Sequence, residues 1–402
     1  MKRSGSADLP LHGGRVPIWL ARRMETLGLA ISRVIVDEYG TQGFLSRISD
    51  PFWFQSFGAA LGMDWHSSGI TTSVMGALKR ALNPVATELG LYVCGGRGKH
   101  SRKTPVELLS MAEQTGLDGH ALVQASKLAA KVDNSLIQDG YQLYQHSFIV
   151  SRQGQWAIIQ QGMNQGNGMA RRYHWLSSRV QSFVLDPHTA IEGHNQGLLL
   201  NLSDARAQPA QNAIVDFIAQ NPDQQLSELR HLVMDKNHAV LAQHVRSKRL
   251  AAALLLAHEK QYRDFVPLVL QDGIGPRTIQ SLALVSELVY GETTRFDDPA
   301  RFSFAHGGKD GHPFPVLTKT YDETIETMHQ MINKARLEHS ERRAAFRSLH
   351  QLAQSIEQQV KPDVDTQAVI DWEKKHAAQY DGRTVFDGTD TKLPCSKQLS
   401  LF

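Results

Sequence analysis

Cysteine is nearly absent from this sequence. The 402 residues include two, Cys94 and Cys395, far apart in the chain. They offer neither a disulfide framework nor the spacing of a zinc or iron–sulfur site. A buried core has to supply the stability, and a reducing, cytoplasmic compartment fits. Long apolar runs are missing as well. The most apolar stretch, Leu250 to Ala257, is far shorter than the roughly 20 residues that cross a bilayer. The start Met1-Lys-Arg leads into Gly, Ser and Asp, not into the apolar stretch of a signal peptide, so no membrane partner is expected. Nor does one sign of charge dominate, since 43 Lys and Arg against 40 Asp and Glu leave +3. A net charge of +3 does not demand a polyanion partner and a pI near 8.7 does not oppose one, so any such binding has to come from local patches. What remains is ordinary for a globular protein, 41% hydrophobic and 21% charged, with length enough for two or three cores.

Periodicity gives a coarse map. Leu20, Met24, Leu27, Ile31 and Ile35 recur at helical spacing between Pro17 and about Tyr39. Thr71 to Leu82 reads as a second helix. Tyr92 to Thr104 reads as a Gly-rich basic loop. Thr104-Pro-Val-Glu107 has the pattern of a capping box opening another helix, and helices continue to about Asp139. His146–Val150 and Trp156–Gln160 alternate on either side of Gly154, the pattern of a β-hairpin. From Asp204 the pattern is helical again, with breaks at Pro209 and Pro222 and a charged helix from Asp322 to about Gln359. The expected fold is mainly α with a small antiparallel β element near 145–187, an α+β class. The expected division is a mixed α+β domain over 1–205, a helical domain over 206–360 and a flexible polar tail over 361–402.

One segment suggests a partner. Gln271-Asp-Gly-Ile-Gly-Pro-Arg-Thr278 separates two apolar-periodic stretches. Gly273 and Gly275 permit backbone angles that a side chain resists. Pro276 suits the first turn of a helix, where a missing N–H costs nothing. Ile274 is the apolar residue between the glycines, and Arg277 and Thr278 stand where side chains join free amides at the positive end of a helix dipole. That is a geometry for phosphate. Lys248, Arg249, Lys260 and Arg263 precede it; Arg295, Arg301 and Lys309 follow. A second basic stretch, Arg97-Gly-Lys99-His-Ser-Arg-Lys103, has the composition of a non-specific phosphate contact.

Polar residues also gather elsewhere. Asp64-Trp-His66-Ser-Ser places an acid, an imidazole and hydroxyls together, a set suited to acid–base work or metal binding, or to capping the following helix. Around the expected hairpin lie His146, Gln161, Arg171, Arg172, His174, Asp186 and His188. Paired arginines could clamp a phosphate, and the histidines could act as acid, base or metal ligand. Equally, such groups satisfy one another inside a core.

Two resemblances follow from these residues. The Gly273–Thr278 turn resembles the helix-hairpin-helix element of DNA glycosylases and other repair proteins, in which a Gly ends the second helix and a catalytic Asp follows. Gly291 and Asp297 or Asp298 have that layout, which implies a carboxylate that stabilises an oxocarbenium-like sugar. The position where bifunctional glycosylases carry a lysine has none here. The set Asp-Trp-His-Ser-Ser-Gly, Gly-Lys-His-Ser-Arg-Lys-Thr-Pro, Val-Asp-Asn, Gln-Asp-Gly, Gln-Gln-Gly-Met-Asn, Ala-Arg-Arg-Tyr-His-Trp and Ser-Phe-Ala-His-Gly-Gly-Lys-Asp-Gly is similar to a prokaryotic domain-of-unknown-function family, 763, up to about Ile332. That family implies no established chemistry. The resulting expectation is a DNA-binding protein that hydrolyses a phosphodiester or a glycosidic bond, with a divalent metal ion as the cofactor of the first. The alternatives are a non-catalytic DNA-binding scaffold, and a nucleotide or small-molecule enzyme whose turn is only a packing corner.

Overall fold

The computed structural model describes residues 9–10, 18–63, 68–166, 168–221, 255–300 and 318–357. Asp64, His66, Lys248, Arg249, Arg301, Lys309 and the expected tail lie outside them. Among the described residues, six strands form one antiparallel sheet. Its order is β1 (Leu9–Pro10), β5 (Met169–Leu176), β4 (Trp156–Asn164), β3 (Gln142–Ser151) and β2 (Leu91–Arg97), with β6 (Ala190–Glu192) against β5. The expected hairpin is β3–β4. Gly154 sits at its turn with φ 82°, a value that favours glycine.

The sheet is apolar on both faces, so both need cover. On one face Ile149 and Ile159 meet Met24, Ile31, Phe54, Phe57 and Val74. These come from α1 (Ile18–Ile48), α2 (Pro51–Ala60) and α3 (Gly69–Leu82), joined by Met328, Ile332 and Leu349 of the two last described helices, Thr318–Lys334 and His339–Glu357. On the other face Phe148, Ile158 and Trp175 meet Leu108, Leu128, Phe217, Leu268 and Leu282. These belong to Thr104–Thr115, Gly119–Lys131, Gln208–Ala219, Phe265–Leu270 and Pro276–Tyr290. Each core draws on residues from both sides of position 205, so the expected boundary at 205/206 does not coincide with a boundary between the cores.

Three expectations need correction. Tyr92–Arg97 is a strand, not a loop, because Leu91 and Val93 enter one core and Cys94 the other. Its glycines disguise it. A Cβ on Gly95 would stand 2.3 Å from His146 O and 2.5 Å from Thr104 Oγ1, so only glycine lets β2 approach β3 there. Thr104 makes no capping box. Its hydroxyl donates to Ser101 O, and Glu107 Oε2 instead accepts from Gly95 N and Lys79 Nζ, each at 2.7 Å. The first helix passes Tyr39 and runs to Ile48, interrupted at Gly40 (φ 71°), because Phe44, Leu45 and Ile48 supply a second buried stripe.

Candidate functional site

One end of the sheet is polar. The register aligns Arg97, Gln145, Gln161, Arg172 and Glu192 across five strands on one face, and Gly96, His146, Gln160 and Tyr173 on the other. Period-two alternation therefore splits Arg171 from Arg172, which neighbour each other in sequence, between opposite layers.

On the side of Tyr173, Asp133 is the hub. It lies in a single π turn, Val132–Leu136, that follows helix Gly119–Lys131. Gln160 Nε2 donates to its Oδ2 at 2.5 Å and Trp175 Nε1 at 3.1 Å, while His188 Nε2 lies 2.5 Å from Oδ1. Gln160 Oε1 accepts from His146 Nδ1 at 2.7 Å, and Ser126 Oγ donates to His146 Nε2 at 2.8 Å. That pattern fits a neutral imidazole, and burial lowers the His146 pKa to about 4. Burial raises the Asp133 pKa, against the opposing pull of His188.

Arg171 sits on the same face between two carboxylates. It is bidentate to Asp298, at 2.9 and 2.6 Å, and gives 2.9 Å to Asp139, which also accepts from Tyr173 OH at 2.7 Å. Gln196 N and Ala300 N donate to Asp298, and Tyr141 N to Asp139. Burial opposes the charge on Arg171, and the two carboxylates overcome it and hold the guanidinium cationic. The short pairing of Leu198–Leu200 (β7) with Arg295–Asp297 (β8) brings Asp298 to this point.

On the opposite face Arg172 gives 2.6 Å to Glu192, 2.7 Å to Thr71 and 3.1 Å to Gln55, and lies over the Phe54 ring at 4.6 Å. Burial lowers its pKa and Glu192 resists that. Gln161 accepts from Thr71 and is joined to Ser68 O and to Tyr144 OH. His174 packs edge-on to Phe54, with Nε2 3.9 Å from Glu192, and burial lowers its pKa. Among the described residues, Arg172 Nη2 and both His174 nitrogens have no hydrogen-bond partner.

The sequence-selected residues thus divide. Gln161, Arg171 and His174 are entirely buried and His146 is 6% exposed. They meet in sealed networks with Asp133, Asp139 and Glu192, which periodicity did not single out. The first two do stand in the Val-Asp-Asn and Gln-Asp-Gly motifs, the one signal that could have found them. His188 joins them at the rim. Asp186 does not; it is exposed at φ 44° and accepts from Ala205 N. Asp297 faces Arg206, and Asp298 is consumed by Arg171. Among the described residues no group of three His, Cys, Asp or Glu side chains could hold a metal ion. Burial raises the Cys94 pKa to about 12, which keeps the thiol unreactive.

The Gly273–Thr278 turn is built differently. Helix Phe265–Leu270 ends, and helix Pro276–Tyr290 begins with Gly275 at its N-cap. Ile274 is buried as an anchor, while Asp272, Gly273 and Arg277 are exposed. Among the described residues, a Cβ on Gly273 or Gly275 would meet nothing within 4 Å. The back of the turn is fixed: Lys131 Nζ donates to Ile274 O, and Gln138 Nε2 to Pro276 O at 3.2 Å. Burial lowers the Lys131 pKa against the pull of Asp272. Gln138 and Asp139 are consecutive, so the turn sits beside the polar end of the sheet. Arg97, Lys99 and Lys103 are exposed at that end, on and after β2. A pocket of about 360 Å³, lined by Leu117, Leu122, Trp156, Val180 and Phe183, lies at the other end of β4 and includes none of the selected residues.

No helix of the described residues is long and apolar enough to cross a membrane. A family model described as a protein of unknown function, DUF763, matches residues 5–316. No curated protein and no solved structure matches the chain. The chain belongs to the DUF763 family.

Proposed function

We propose that this member of the DUF763 family is a DNA-binding protein that grips the sugar–phosphate backbone at the Gly273–Thr278 turn, with Arg97, Lys99 and Lys103 as a second contact. The observation that carries this reading is the openness of the turn in front and its fixation behind. Pro276 has no N–H, so Arg277 and Thr278 supply the first free amides of a 15-residue helix. Gly275 has no side chain to compete for them, and the open space at both glycines lets an anionic oxygen approach.

The buried strand networks are read as structural. Hydrolysis needs an acid, base or nucleophile within reach of the substrate, and among the described candidates the carboxylates and imidazoles of the sheet are sealed or already paired. This favours the non-catalytic binding protein over the phosphodiesterase or glycosylase. Asp298 in particular cannot stabilise a developing sugar cation while it is bidentate to Arg171.

Fluorescence anisotropy with a labelled 20-base-pair duplex tests the reading. With three to five phosphates contacted, log affinity should fall against log salt with a slope of roughly −3 to −4.5. Gly275 is extended, at φ −138° and ψ −174°, so Gly275→Glu strains no backbone, and it should lower affinity at least tenfold. Absence of salt-sensitive binding in the unmodified chain overturns the proposal.

A further inference from the structure

One compact apolar cluster in the sequence lies outside the described residues and apart from the turn. Gln398-Leu-Ser-Leu-Phe402 sets three large apolar side chains within five residues. From Asp387 to Lys397 only Leu393 is comparable, among Asp, Thr, Gly, Lys and Ser. The cluster lies outside the described residues, beyond the family match that ends at 316, and about forty residues after Glu357. Three apolar side chains in polar surroundings cannot form a core of their own. They can enter a groove on another surface. In an extended peptide Leu399 and Leu401 fall on one side, with the small polar Ser400 between them. Phe402 adds a ring, and Gln398 adds an amide that both donates and accepts.

We propose that Gln398–Phe402 is a linear docking peptide for a DNA-associated protein whose surface groove offers adjoining apolar pockets for the leucines and phenylalanine and a polar notch for the glutamine amide. The inference rests on the DNA-binding reading for one point, that the partner is one that resides on DNA. A ring-shaped sliding clamp has that chemistry, since it encircles the duplex and presents apolar grooves. The spacing permits simultaneous engagement. About forty residues span at most roughly 140 Å, so the Gly273–Thr278 turn could hold the backbone while the peptide holds a partner on the same duplex, and each contact raises the effective concentration of the other. Among the described residues the pocket lined by Trp156 and Phe183 is a competing seat on the chain itself.

Surface plasmon resonance of the full chain over immobilised bacterial sliding clamp, without DNA, tests the proposal. Saturable binding with a Kd on the order of micromolar is expected. The double change Leu401→Ala and Phe402→Ala should weaken it at least tenfold, and Gln398→Ala several-fold. Gly275→Glu should leave clamp binding unchanged, and the double variant should leave the DNA affinity of the isolated chain unchanged, so failure of one reading is distinguishable from failure of the other. No clamp binding, or binding indifferent to Leu401 and Phe402, overturns the proposal. So does a melting temperature lowered by the double variant, which would seat the peptide on its own body.

Discussion

The strand cluster and the Gly273–Thr278 turn are both dense in polar groups, lie beside one another, and are built for opposite ends. In the cluster, Arg171, Arg172 and His174 have no exposure, and each arginine faces a carboxylate contributed from elsewhere in the chain. In the turn, Asp272, Gly273 and Arg277 are exposed and no described atom crowds either glycine, while Ile274 and Lys131 hold it from behind. A run of charged residues in sequence can mark a place where the fold neutralises itself. A place where a ligand can arrive is marked by unengaged donors held in a fixed, accessible geometry. The proposal assigns DNA to the second region on that difference.

The comparison can be broken from either side. The largest effect should come from Arg171→Met, which leaves Asp139 and Asp298 buried without their cation. A loss of about 3–5 kcal/mol is expected in urea unfolding, with DNA affinity of the folded protein unchanged. A stable variant that loses DNA would make the cluster part of the interface. Acid should act next. The neutral His146 has a folded pKa of about 4 against an ordinary value near 6.5. The unfolded chain therefore takes up the proton first as pH falls. The contribution of His146 is complete above about pH 6.5 and is lost progressively toward pH 4, up to about 3 kcal/mol. Urea midpoints across that window should fall less steeply in His146→Gln. The smallest effect should come from Lys131→Met, which removes the bond to Ile274 O. About 1 kcal/mol of stability and a roughly three- to tenfold loss of DNA affinity are expected. Unchanged affinity would show that the turn needs no support from behind.

Much of the fold was legible in the sequence. Helical periodicity marked α1 and α3, and alternation around Gly154 marked β3–β4, because both patterns are local. β2 was not, since Gly95 and Gly96 look like loop residues until the close approach of His146 O makes glycine obligatory. β5 was not, because Arg171, Arg172 and His174 suggest a surface. Their interior position depends on Asp139, Asp298 and Glu192, which lie 32, 127 and 20 residues away from the arginines they meet. Pairings at such separations leave no periodic trace. The same holds for Asp298, whose place after Gly291 suggests catalysis until its bidentate bond to Arg171 is seen. The turn was the reverse case. Its glycines, proline and apolar anchor are contiguous, so the left-handed Gly273 and the helix start at Pro276 could be read directly. Gly275 is a correction, since its backbone is extended and needs no glycine, and the support from Lys131 and Gln138 could not be read either.

Amide hydrogen exchange across Gly273–Thr278, with and without a saturating duplex DNA, tests the central claim most directly. The account predicts fast exchange at Arg277 and Thr278 in the free protein and clear slowing when DNA is added, with no change in the already protected strand β5. Exchange at the turn that is indifferent to DNA, or protection that appears in β5 instead, would contradict it.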